Sequence, residues 1–118
     1  KNKFKDHIII AGWNNFIQPM LKIINDNNSE FKKIILINET NPDIIKRSTS
    51  IYNNLDITHL NDNPTQDSIL KKSFIEYCSV FMVMPDYSGL LPNDKPDEDK
   101  IVLTAYTAKS ISEDIKYG

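Results

Sequence analysis

The chain has 118 residues, of which 40% are hydrophobic and 25% are charged. Because a domain usually takes about 100 to 200 residues, this length predicts one globular domain and leaves no room for a second. The formal net charge of -2 removes the attraction on which non-specific binding to nucleic acid depends, so we expect no nucleic-acid partner. The single cysteine, Cys78, cannot form an internal disulfide and favours a reducing compartment.

The first predicted strand is an apolar run, residues 7–11, that ends at Gly12. A short β-branched run of this kind is typical of a central strand that is covered on both faces. Apolar residues then recur at helical spacing and predict a helix that ends within residues 25–29. They are Ile17, Met20, Leu21 and Ile24.

The second predicted strand is the buried run at residues 34–37. After it, Asn41, Pro42 and Asp43 form a helix start signal. Asparagine caps free backbone N–H groups, proline fits the first helical position, and an acidic side chain suits the positive end of the helix dipole.

The third predicted strand, residues 55–60, alternates apolar and polar side chains, which is typical of an edge position. Residues 62–65 predict a turn into a short helix with Thr65 as its cap. The apolar side chains of that helix are Ile69, Leu70 and Phe74.

The fourth predicted strand is the continuous apolar run at residues 80–84. A loop containing glycine and proline follows over residues 87–97, and then a helix over about residues 98–110 with Asp97 as its cap. The last segment, residues 115–117, resembles the start of another strand.

Alternating strands and helices predict parallel strand pairing, because parallel neighbours need crossovers of this length. Right-handed crossovers favour a Rossmann-like, doubly wound α/β sheet in the order 3-2-1-4. In that order the apolar fourth strand lies at an edge, where apolar strands are unusual. We therefore expect that the chain is truncated before a fifth strand.

Ligands of such sheets bind at the carboxyl ends of the strands, where the strand order reverses. That rule places Gly12, Trp13, Asn14 and Asn15 opposite Asp86, and we predict that these residues contact a ligand. The alternatives are a tight structural turn for Gly12 and Asn14, and packing for Trp13.

A dinucleotide site usually carries three glycines after its first strand, but here Asn14 and Ile17 replace the second and third. Their side chains weigh against phosphate binding. Glu39 follows the second strand, where an acidic residue reaches a ribose hydroxyl, and Thr40 adjoins it. The alternative for Glu39 is a solvated loop acid.

Two further groups offer ligand atoms. Asp62 and Asn63 follow the third strand as candidate ligand residues, with a structural turn as the alternative. Several acids could supply oxygen to a hard cation such as calcium together with Asp86, although solvated charges are the alternative and the metal stays open. They are Asp94, Asp97, Glu98 and Asp99.

Signs of catalysis are absent from the sequence. There is no nucleophile elbow, Walker loop or histidine paired with an acid. Residues 106–109 read YxxK, one residue short of the YxxxK of short-chain dehydrogenases. We therefore expect a sensing domain rather than an enzyme.

Four segments together resemble the regulator of potassium conductance domain, also called RCK or TrkA-N. The most specific is HIIIAGWN at residues 7–14; the others are LINE at 36–39, NPT at 63–65, and DEDK at 97–100 leading into LTA at 103–105. The likeness covers residues 5–116. Asn63 stands where many members carry aspartate, which lowers the charge available to a cation.

The resemblance implies a cytoplasmic regulatory module of a prokaryotic potassium channel, at the inner face of the membrane. Residues 1–6 would end the linker from the pore, and residues 7–118 would form the RCK N-terminal subdomain. Such modules self-associate as dimers within a gating ring, act on the pore domain, and respond to a nucleotide or a divalent cation. Two alternatives stay open: the cofactor-binding part of an NAD-dependent oxidoreductase, and an assembly domain without a ligand.

Overall fold

The computed structural model describes residues 5–27, 32–86 and 97–117, with side chains described as far as residue 112. The strands are β1 (Ile8–Ala11), β2 (Lys33–Asn38), β3 (Asp56–Asn61) and β4 (Val80–Val83). The α-helices are α1 (Ile17–Asp26), α2 (Pro42–Thr49), α3 (Asp67–Lys72) and α4 (Glu98–Tyr117), and a short 3-10 helix spans Ile75–Tyr77.

The strands form one parallel sheet in the order β3-β2-β1-β4. In the centre of the sheet Ile9 of β1 pairs with Ile35 of β2 on one side and with Phe81 of β4 on the other. The predicted Rossmann-like α/β fold and its strand order are therefore confirmed.

The core has two layers, one on each face of the sheet. Alternate residues of β1 and β2, such as Ile10 and Leu36, pack with α1 and α2, whereas Ile9 and Ile35 pack with α3 and α4. Every residue of β1 is buried, but those of β3 and β4 at the sheet edges are at most half-buried. The burial of β1 and the partial exposure of β3 are what their continuous and alternating patterns predict, whereas the continuous apolar run of β4 is typical of a buried strand and is only half-buried at the sheet edge.

Two of the three predicted helix starts are confirmed. The Asn41 side chain accepts the N–H of Asp43 at 2.8 Å, and the Asp97 side chain accepts the N–H of Lys100 at 3.1 Å. The predicted Thr65 cap of α3 is wrong, because α3 begins at Asp67 after Gln66. Thr65 instead donates its N–H and hydroxyl to Asn63 Oδ1, so it belongs to the preceding turn.

Two other boundaries differ from prediction. Phe74 lies beyond α3 with φ +58°, a left-handed conformation that ends the helix. Residues 115–117, expected to begin a strand, are the end of α4. The predicted loop at 87–97 lies, apart from Asp97, outside the described residues, as does Asp94.

None of the described helices combines the length and apolar character that a membrane crossing requires.

Candidate functional site

The turn after β1 is hydrogen-bonded to β2 on one side, and the end of β1 is hydrogen-bonded to the segment after β4 on the other. Gly12 donates its N–H to Ile37 O of β2 at 2.9 Å, and Met84, after β4, donates its N–H to Ala11 O at 2.7 Å. Gly12 has φ +104°, and a Cβ built on it would collide with the carbonyl oxygen of Met84. Glycine is therefore required here for structural reasons, and its N–H is already bonded within the sheet.

Asn14 ties this turn to the end of β4. Its side chain is 2% exposed, donates through Nδ2 to Pro85 O at 2.7 Å and accepts the N–H of Phe16 at 2.8 Å. Both polar atoms of the amide thus bond within the chain, and one of them satisfies a backbone donor just before α1. The structure shows a structural role for Asn14, and its contact with a ligand stays a prediction.

The other predicted residues of this turn differ in exposure. Trp13 is half-buried and packs against the core layer of α1 and α2, in agreement with the packing alternative. Asn15 is exposed. Of the two, Asn15 is therefore the more accessible to a ligand that approaches from solvent.

The ends of β2 and β4 bring two predicted carboxylates together. Glu39 follows β2 and Asp86 lies just after β4. Lys100 of α4 places its Nζ 3.1 Å from Asp86 Oδ2 and 3.7 Å from Glu39 Oε1. Lys100 was not predicted from the sequence as a site residue. The positive end of the helix dipole disfavours a cation in the first turn of a helix, so a lysine there indicates that a carboxylate lies nearby.

Lys100, Asp86 and Gly12 line a narrow crevice at the carboxyl edge of the sheet. It encloses about 10 Å³ of free space, close to the volume that one water molecule needs. Asp97 and Thr104 also line it. Among the described residues, the crevice therefore leaves room for little more than one water molecule.

Asp62 and Asn63 follow β3 at the edge of the sheet. The Asp62 side chain accepts the N–H of Asn63 at 3.3 Å, and Asn63 Oδ1 accepts both donors of Thr65. These bonds agree with the structural-turn alternative. Within the described ranges, no three or more His, Cys, Asp or Glu side chains lie together as they do in a metal centre.

A second polar cluster, not predicted from the sequence, lies between β2 and β3. The buried Asn38 side chain accepts the N–H of Thr40 at 3.1 Å. That bond fixes which atom of the amide is the oxygen, and His59 Nε2 lies 2.8 Å from it. Nε2 therefore carries the proton, and burial lowers the pKa of His59.

Asn38 also has a buried Nδ2 group without a hydrogen-bond partner among the described residues. His59 borders a cavity of about 270 Å³ between β3 and α2. Asn38 directly precedes Glu39 in the chain, so this cluster adjoins the Lys100 ion pairs.

Another cavity, of about 570 Å³, lies among the described residues along the outer edge of β4 and beneath α4. Phe81, Ala108 and Ile111 line its apolar floor, and Glu76 and Lys109 lie at its polar margin. Cys78 also borders it, and burial raises the pKa of this thiol. None of the predicted ligand residues lines this cavity.

No protein-family model matches the sequence, and no curated protein matches it either. Inferences about function therefore rest on the fold and on the crevice.

Proposed function

We propose that this chain is a ligand-sensing regulatory domain of the RCK type, which couples binding of a small ligand to gating of a potassium-channel pore. The parallel sheet in the order β3-β2-β1-β4 supports the proposal, because this topology creates a ligand crevice at the end of β1. The HIIIAGWN segment at residues 7–14, on which the resemblance to RCK domains mainly rests, forms β1 and its turn.

The observation that carries the proposal is that Glu39 and Asp86 both lie near Lys100 at that edge. They come from strands on opposite sides of β1, and Lys100 lies within 4 Å of both carboxylates. Carboxylates accept hydrogen bonds from ligand hydroxyls and supply oxygen to hard cations. A nucleotide or a divalent cation is thus the class of ligand that this edge suits.

Regulation of this kind needs no bond to be made or broken. A ligand that binds one arrangement of an assembled ring more tightly than another shifts the equilibrium between them by the difference in binding free energy. In the proposed assembly the pore responds to that shift. The domain then acts at the cytoplasmic face of the membrane, as a self-associating part of the channel protein.

Exposed apolar side chains on α4 support self-association. Val102 and Tyr106 lie one turn apart on the helix, with exposed fractions of 67% and 68%, and Leu103 adjoins Val102. Burial of such side chains between copies is favourable because it removes apolar area from water.

The second candidate is the cofactor-binding part of an NAD-dependent oxidoreductase. Glu39 favours it, because an acidic residue at the end of β2 binds ribose hydroxyls in such enzymes. The Gly12 N–H weighs against it, because this group bonds to Ile37 O instead of facing a pyrophosphate. An assembly domain without a ligand is the third candidate.

Isothermal titration of the 118-residue chain with NADH, ATP, AMP, CaCl₂ and NaCl separates these functions. We expect one of these probes to bind with a Kd below about 1 mM, and Glu39→Gln to weaken that binding at least tenfold. Hydride transfer from bound NADH in the full-length protein would identify an oxidoreductase. Silence with every probe, together with self-association in ultracentrifugation, would favour the assembly domain.

A further inference from the structure

The Lys100 side chain extends from α4 toward the two carboxylates that follow β2 and β4. Its ammonium group lies 3.1 Å from Asp86, after β4, and 3.7 Å from Glu39, after β2. Since β2 and β4 flank β1 in the sheet, a group that reaches both carboxylates lies over the end of β1. Lys100 and Gly12 accordingly line the same crevice.

These ion pairs are partly protected from solvent. The side chains of Lys100 and Asp86 are 23% and 29% exposed, whereas that of Glu39 is 59% exposed. Salt screens partly buried pairs less than exposed ones. The ion pair with Asp86 is therefore the less exposed and the less screened of the two. Glu39 is the partner that is more accessible to solvent and to a ligand.

The position of Lys100 in α4 is unfavourable for the helix alone. It is the third residue of a helix that begins at Glu98, and cations are disfavoured near helix N-termini. Its charge is offset by Asp86 and Glu39, which follow β4 and β2 in the chain. These contacts join the start of α4 to the segments that follow β2 and β4.

We propose that Lys100 is a latch that holds the first turn of α4 over the end of β1, and that a ligand engaging Glu39 or Asp86 releases it. This inference rests on the proposed sensing function. A divalent cation repels the ammonium group and takes over its carboxylates, and a ligand hydroxyl that donates to Glu39 weakens the bridge to β2. Occupancy of the crevice is thereby transmitted to α4.

The latch also lowers the affinity of the crevice for its ligand. Because the ion pairs must break before the carboxylates are free, part of the binding free energy is spent on opening the crevice. By thermodynamic reciprocity, a substitution that opens the latch tightens ligand binding, and a bound ligand loosens the start of α4.

Hydrogen exchange measured by NMR on the ligand-free chain tests the latch. In Lys100→Met, we expect the amides of Ile101 to Thr104 to exchange about three to ten times faster than in the wild type. The β1 and β2 amides, such as those of Ile9 and Leu36, should keep their wild-type rates. Lys100→Arg keeps the cation and should retain most of the protection in α4.

Lys22→Met is the matched control. It also removes a lysine from a carboxylate pair, with Asp26, but at a site where both side chains are more than half exposed, so protection in α4 should not change. If Lys100→Met destabilises the whole chain, β1 and β2 accelerate as well, so the ratio of α4 to β-sheet rates is the decisive quantity. An unchanged ratio in Lys100→Met would overturn the latch. The exchange experiment needs no ligand, so failure of the titrations would count against the proposed function alone.

Discussion

Replacement of Gly12 by alanine is the sharpest test of the structural account of the β1 turn. Gly12 has φ +104°, and a Cβ there would collide with Met84 O, which is backbone and not the end of a flexible side chain. A non-glycine residue in such a conformation costs about 1–3 kcal/mol, and forcing an extra methyl group into a packed site costs about 1–3 kcal/mol more. We therefore expect Gly12→Ala to lower the free energy of unfolding by at least about 2 kcal/mol.

Urea denaturation followed by far-UV circular dichroism measures this loss. Trp13 fluorescence gives a second probe in the adjacent residue, since the chain has one tryptophan. Ser79→Ala, at an exposed position next to β4, is a control that should stay within about 0.5 kcal/mol of the wild type. A loss below about 1 kcal/mol in Gly12→Ala would show that the close approach of Met84 to this turn is wrong.

Three further predictions concern stability. Asn14→Ala removes the bonds to Pro85 O and Phe16 N–H, so its free energy of unfolding in urea should fall by about 1–3 kcal/mol; no loss would mean that the turn is not tied to β4. Asn41→Ala removes the cap of α2 and should cost about 1 kcal/mol in the same assay, whereas an unchanged urea midpoint would contradict that cap. Burial lowers the pKa of His59 in the folded chain, so the unfolded chain binds the proton more readily and stability falls as pH decreases below the usual pKa of 6.5. The urea midpoint of the wild type should accordingly drop more between about pH 7.5 and 5.5 than that of His59→Gln, and equal drops would refute the lowered pKa of the half-buried His59.

Much of the fold could be predicted because the strands differ in how their two faces are covered. The runs of β1 and β2 are apolar throughout and occupy the centre, whereas β3 alternates and lies at an edge. The start of α2 was also predictable, because the signal at Asn41 and Pro42 is local in the chain.

The errors in the predicted fold arise where local preference is weak or where a neighbouring contact overrides it. Thr65 is a good cap in isolation, but Asn63 holds both of its donors. Residues 115–117 carry no strong preference, so continuation of α4 decides their conformation. The left-handed Phe74 has no sequence signal, because this conformation is rare for an aromatic residue.

The candidate site was predicted only in part, for a different reason. Topology alone brings Glu39 and Asp86 to the edge where strand order reverses, so both could be named from the strand ends. The contact of Lys100 with them depends on how α4 docks on the sheet, and no local pattern encodes that. The same holds for His59 and Asn38, which meet only through strand pairing between β2 and β3.

The central claim, that the carboxyl edge beside β1 binds a small ligand, is tested most directly by mapping backbone amide shifts. We would titrate the labelled chain with NADH, ATP, AMP and CaCl₂ in turn. The account predicts that a binding probe shifts the amides of Gly12, Glu39, Asp86 and Lys100 first, and that Glu39→Gln suppresses these shifts. Shifts confined to the outer edge of β4, or no shifts with any probe, would contradict it.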